Sequence, residues 1–447
     1  MQNKITHVIK RSGAIVPFNK ERVANAIYRA VVAVGGRDKH KAEELSDQVV
    51  KILSNKFTDN STPNIEDIQD IVEKVLIESG HATVAKEFIL YREEAAIRRD
   101  KEGRLTSKLN ENVPWAKVWR NLDWAVTYNL HTVDALNNRV ANGEFPQIVN
   151  ESERLYEDDV TLGSELIIER LKHLRMVMIS GPSSSGKTTT TIKLEEKLTK
   201  KGYKFKALNV DHYFFDLELH PKDEFGDYDF ETPHALDLQL INEHLVKLSN
   251  GEEVLIPAYD FKTGTRKLNV TPMNLKKDEL LLIDSLHGLH PEFSKDIKDD
   301  IKFKLYLEPL LQMKDKEGKY IRWTDLRLIR RMLRDSVHRA YNPQQTLEHW
   351  HYVRSSEMRN IIPYSHSADF IISSGMPYEL PLYTHRLLKS FAGWNEKYKD
   401  DPLKTDAYER AARLHKILKS VTPVTDDSPV PGNSVMREFI GGSTLEY

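Results

Sequence analysis

The run Gly181-Pro-Ser-Ser-Ser-Gly186-Lys187-Thr188 constrains this chain more than any other, because it fits G-x-x-x-x-G-K-[ST] and lies between a strand pattern and a helical one. Met176-Val-Met-Ile179 reads as a short buried strand ending at the loop, and Ile192, Leu194 and Leu198 recur afterwards at helical spacing. Chemistry explains the residue types. Gly181 and Gly186 let the backbone turn tightly, so that the N–H groups from Ser183, Ser184 and Ser185 through Thr189 can surround phosphate oxygens at the positive end of the following helix. Lys187 would reach the outer phosphates of a triphosphate, and the Thr188 hydroxyl would hold Mg²⁺.

Composition sets the bounds. At 447 residues the chain is expected to form two or three domains with cores of their own. With 40% hydrophobic and 30% charged residues it has the balance of a globular protein, and a net charge of −2 gives no electrostatic reason to expect nucleic-acid or membrane partners. The absence of cysteine excludes disulfides, thiolate metal sites and cysteine nucleophiles. No apolar signal core or run of about 18 apolar residues occurs, which leads us to expect a cytoplasmic protein.

Residues 5–18 alternate around a polar turn holding Gly13, the pattern of a β-hairpin. Four helices should follow: one capped by Asn19 with Val23, Ile27 and Val31 on one face, one over 39–54, one opening after Pro63-Asn64, and one carrying Val84 and Phe88. This arrangement over residues 1–100 resembles the ATP-cone, a regulatory module that binds ATP or dATP. The resemblance implies Lys10, Arg11 and Arg22 as phosphate contacts and a homo-oligomer as the assembly; Ser12 stands where family members usually carry Asp. Residues 101–172 are expected to be a mostly helical connecting segment whose Trp115, Trp119 and Trp124 serve packing. From 173 to 395 strands and helices alternate, with strands expected at 175–180, 204–210, 253–258, 279–284, 301–307 and 368–373. That is an α/β pattern of a mostly parallel sheet covered on both faces, with ligands at the strands' carboxyl ends. A helix and tail fill 396–447.

Three further features carry chemistry. Ala207-Leu-Asn-Val210 ends at Asp211, where a carboxylate can take the proton of an acceptor hydroxyl. Leu280-Leu-Leu-Ile283 ends at Asp284, the pattern of an acid that orients Mg²⁺; His287 and His290 beyond it read as loop residues. Arg327, Arg330, Arg331, Arg334 and Arg339 line a helix whose Leu328, Ile329, Met332 and Leu333 face inward, a cationic lid over phosphates or a solvated basic face.

In this order, together with Pro257-Ala-Tyr259-Asp-Phe261, these motifs make residues 173–391 resemble the uridine kinase and phosphoribulokinase family. The resemblance implies ATP- and Mg²⁺-dependent phosphotransfer to an alcohol of a small molecule. Asp211 matches the general base, Thr188 and Asp284 the metal side, and Arg331, Arg334 and Arg339 the lid arginines. Glu231 stands where the family turns an Asp toward ribose hydroxyls, Tyr259 matches an aromatic residue of the nucleoside pocket, and Arg266 joins them on the substrate side. Base recognition departs from the pattern: Gly264 replaces a His, Tyr341 an Arg and His349 a Gln. A nucleoside or ribose-like polyol is the expected acceptor. Two alternatives stay open, a kinase for a sugar or hydroxy acid and a nucleotide-binding regulator that transfers no phosphate. The tail Met436-Arg437-Glu-Phe439-Ile-Gly441-Gly is shared with a bacterial nucleoside-kinase-like group.

Overall fold

A computed structural model describes residues 5–9, 15–34, 36, 38–57, 62–89, 113–221, 228–338 and 342–446. Lys10, Arg11, Arg339 and Tyr341 lie outside the described residues. By contact the chain divides into two units.

In the first unit β1 (His7–Ile9) and β2 (Ile15–Pro17) pair antiparallel. Four helices follow: α1 (Lys20–Ala33), α2 (Lys39–Lys56), α3 (Ile65–Glu78) and α4 (82–89). The starts are written in side-chain chemistry. Asn19 accepts from the Glu21 N–H, and Asn64 and Asp67 exchange side-chain-to-backbone bonds in a capping box. Val23, Ile27, Leu45, Val49, Leu53, Val72, Leu76 and Phe88 close one core. Arg22 is exposed on the first turn of α1.

The second unit begins with α5 (Trp115–Thr127), α6 (Val133–Ala141) and α7 (Phe145–Arg170). Five parallel strands form its sheet: β3 (Met176–Ser180), β4 (Lys204–Asn209), β7 (Glu279–Ser285), β8 (Lys302–Glu308) and β9 (Phe370–Ser373), in the spatial order β4-β7-β3-β8-β9. Side chains alternate between its faces. Val177, Ile179, Leu280 and Leu282 join the core under α7 and α8 (Lys187–Lys200), whereas Met176, Met178, Leu281 and Ile283 join the one under α9 (Leu238–Ser249). The first core also takes in α10 (Trp323–His338), α11 (Pro343–Asn360), α12 (Glu379–Tyr398), α13 (Thr405–Ser420) and α14 (Arg437–Ile440). Leu130, Val133 and Ile148 of the helical stretch before the sheet are fully buried in that same core, while Trp115 and Trp119 are exposed and only Trp124 packs against it. Among the described residues no helix is long and apolar enough to cross a membrane.

One expected strand sits elsewhere. The segment read at 253–258 is β5 (Val254–Asp260), which leaves the main sheet and pairs antiparallel with β6 (Thr265–Met273). Pro257 has no N–H for a ladder, and the register shifts between Ile256 and Ala258, as expected of a proline confined to an edge or bulge. The second strand of this hairpin is mostly polar and exposed, so it carries no apolar run.

The order of the sheet fixes the site. Chain connections run from β3 toward β7 and β4 on one side and toward β8 and β9 on the other, so its carboxyl end is the topological switch point.

Candidate active site

The loop from Gly181 to Thr188 leaves β3 at that switch point and opens α8. Its two glycines are dictated by space. A Cβ on Gly181 would stand 2.2 Å from the Leu307 carbonyl oxygen, and Gly186 has φ +92° with a Cβ position 2.3 Å from Val435 Cγ2. Lys187 Nζ donates to the carbonyls of Gly181 at 2.9 Å and Pro182 at 3.3 Å. Burial lowers its pKa below the ordinary lysine value, against the pull of Asp284 and Glu438. The hydroxyls of Ser184 and Ser185 are buried with no hydrogen-bond partner among the described residues. Orphaned donors and a buried ammonium around a glycine turn fit a polyphosphate.

Register brings the acids to the loop. Asp284 lies beside Ile179 of β3 on one flank and Asn209 of β4 on the other. Its carboxylate is 3.4 Å from the Thr188 hydroxyl, and burial raises its pKa to about 6 despite the Lys187 charge. Two residues past the end of β4, Asp211 sits in a short 3₁₀ turn whose start Asn209 caps, and its charge is felt at Asp284. Among the described residues no group of three His, Asp or Glu side chains could enclose a metal. Thr188 and Asp284 fit Mg²⁺ instead, which commonly takes one or two protein oxygens and completes its shell with phosphate and water.

Arg331 Nη1 meets Glu231 Oε1 at 3.1 Å and Ser183 Oγ at 3.2 Å, tying α10 to both Glu231 and the loop. Tyr259 is buried among Phe214, Phe261 and His220, with ring centroids 5.6, 4.9 and 6.3 Å away. Arg266 pairs with Asp237 at 2.9 Å and lies over the Phe215 ring.

Residues 176–380 match the Phosphoribulokinase / Uridine kinase family, and residues 6–97 match the ATP cone domain. A uridine kinase of Bacillus pumilus is 30% identical over 201 residues, which span 45% of this chain and 86% of that one. The chain belongs to the phosphoribulokinase and uridine kinase family. A vitamin B12-dependent ribonucleoside-diphosphate reductase of Thermoplasma acidophilum is 43% identical over 104 residues, 22% of this chain and 13% of the reductase. The solved structure of a possible uridine kinase from Bacillus stearothermophilus aligns over 48% of this chain and 98% of its own, at 16% identity and a TM-score of 0.31. This family member is thus a P-loop small-molecule kinase with an ATP-cone at its amino-terminal end.

Two features of this kinase escaped the sequence reading. The arginine run divides by burial. Arg327 and Arg330 are fully buried and brace the phosphate loop from beneath: Arg327 pairs with Glu357 and donates to the Ser183 carbonyl at 3.2 Å, and Arg330 pairs with Glu379 and donates to Ser374, whose hydroxyl in turn donates to the Ser185 carbonyl. Only Arg331 and Arg334, of the described arginines in the run, retain partial exposure. His287, read as a loop residue, is 2% exposed, and neither ring nitrogen makes a hydrogen bond of normal geometry among the described residues. Burial first, then His290, Lys187 and His234, push its pKa down to about 3, so the ring is neutral near pH 7.

Proposed function

We propose that this kinase transfers the terminal phosphoryl group of ATP to a hydroxyl of a nucleoside or another ribose-like polyol, and that ATP or dATP at the cone regulates it. The observation that carries the reading is the convergence of Asp211, Asp284 and Lys187 at one end of the sheet, imposed by the registers of β3, β4 and β7. Asp211 takes the acceptor's proton while the acceptor oxygen bonds to the terminal phosphorus. The bond from that phosphorus to its bridging oxygen breaks, and ADP leaves. Lys187 and the loop N–H groups hold the phosphates, Thr188 and Asp284 would hold Mg²⁺, and Arg331 and Arg334 face the transferring group. Bound Mg²⁺ supplies charge neutralisation on the phosphate oxygens.

Gly264, Tyr341 and His349 replace base-contacting residues of the uridine kinases, which favours an acceptor other than uridine. The test is ATP consumption against a panel of nucleosides, sugars and hydroxy acids, with Lys187→Ala as control. Transfer to one acceptor, abolished in the variant, is expected; ATP binding without transfer to any acceptor would favour a regulator instead.

A neutral imidazole can donate to one hydroxyl and accept from another, and a buried ring with a nitrogen left unsatisfied is costly unless a ligand or water satisfies it. We therefore place His287 on the acceptor side, near the Glu231 main chain. His287→Phe is expected to raise the acceptor KM about tenfold or more, while the KM for ATP stays within a factor of about two. Equal shifts in both constants would refute this placement.

A further inference from the structure

The carboxyl-terminal segment has no part in the reaction set out above, yet it is built into the phosphate loop. Val435, Met436 and Phe439 are fully buried. Val435 fills the space above Gly186, Phe439 lies under the Arg330 guanidinium at 5.0 Å, and Ser434 is hydrogen-bonded to Glu153 and Tyr378. Arg437 is held by the carbonyls of Asp427 and Val430 at 2.8 and 2.7 Å.

This anchoring delivers one carboxylate to the nucleotide side. Glu438 is 7% exposed; its Oε2 accepts from the Thr189 hydroxyl at 2.8 Å, and its Oε1 faces Arg334 Nη1 at 3.9 Å. Its charge also acts on Lys187 and Asp284. Thr189 belongs to the first turn of α8, whose N–H groups and dipole favour an anion, and Arg334 is one of the arginines assigned to the phosphates. The carboxylate therefore engages partners that a phosphate oxygen would take, with the same sign of charge and the same acceptor chemistry.

We propose that Glu438 is a built-in anion of the nucleotide site: it holds Thr189 and Arg334 in place and competes with the phosphates of the nucleotide, so that the tail sets nucleotide affinity. This rests on the reading of the P-loop as the ATP site. A fixed negative charge within a few ångströms of a phosphate weakens polyphosphate binding, and the loss of affinity eases product release.

The experiment is titration calorimetry of ADP without Mg²⁺ on the full chain, using the wild type, Glu438→Gln, Glu438→Asp and Lys187→Ala. Glu438→Gln keeps the shape and an oxygen that can accept from Thr189 but removes the charge, so the Kd is expected to fall about tenfold. Glu438→Asp withdraws the charge by one methylene and is expected to tighten binding about threefold; it carries the test if the Gln variant does not fold. An unchanged or higher Kd in the folded variants overturns the proposal, because a merely structural contact, or a direct contact to the ribose or base, would not tighten binding when neutralised. Lys187→Ala separates the two readings: if it binds ADP as the wild type does, the P-loop is not the site; if it loses binding while the Glu438 variants bind unchanged, only the role of Glu438 fails.

Discussion

Asp211→Asn is expected to lower kcat about 10²–10⁴-fold, the usual contribution of a general base, while the Kd for ADP changes by less than about threefold. The substitution keeps size, and the Asn209 cap accepts from the main-chain N–H of residue 211, so the 3₁₀ turn has no reason to move. Lost are the acceptance of a proton and the charge that Asp284 feels. The expected split between turnover and binding follows from position: Asp211 follows β4, whereas the phosphate loop follows β3, with β7 between them in the sheet. Stopped-time assays with the acceptor found in the panel, beside calorimetry for ADP, give both numbers. Turnover within a few-fold of wild type would remove Asp211 from the chemistry.

The parts of this site that could be read in the sequence are those where one short segment carries the whole signal. The glycine spacing, Lys187 and Thr188 announce the loop because a tight phosphate turn allows few alternatives. Asp284 is legible because four apolar residues before it are buried on both faces of a parallel strand. The capped helices of the first unit are legible because Asn19 and Asn64 precede regular apolar periods. What was not legible depends on distant residues meeting. Glu438 and Thr189 are 249 positions apart, and nothing local marks a glutamate in a tail as the neighbour of a P-loop. His287 differs from any loop histidine only in what surrounds it. The exposed β6 lacks an apolar face, so no periodicity reveals it.

The arginine run shows the same limit most fully, and it carries the second large effect. Counted along the helix, Arg327, Arg330, Arg331 and Arg334 look alike, but their partners on other elements separate them into two buried supports and two partly exposed arginines. Arg330→Met is expected to destabilise the second unit by about 3–5 kcal/mol, because it leaves the fully buried Glu379 without its cation. Glu379 keeps contacts to the Tyr383 hydroxyl at 2.6 Å and the Met376 N–H at 2.7 Å, which offset only part of the loss. The double change Arg330→Met with Glu379→Gln removes both charges and should recover about half of the loss or more, since a neutral amide is far cheaper to bury than an unpaired carboxylate. The substitution also unties Ser374, which holds the Ser185 carbonyl, so the double variant should recover stability while its ADP affinity stays below that of the wild type. Urea unfolding gives the first quantity and calorimetry the second. If the double variant recovers both together, Arg330 supports the fold alone; if stability returns without affinity, the buried arginine is what holds the phosphate loop in its binding shape.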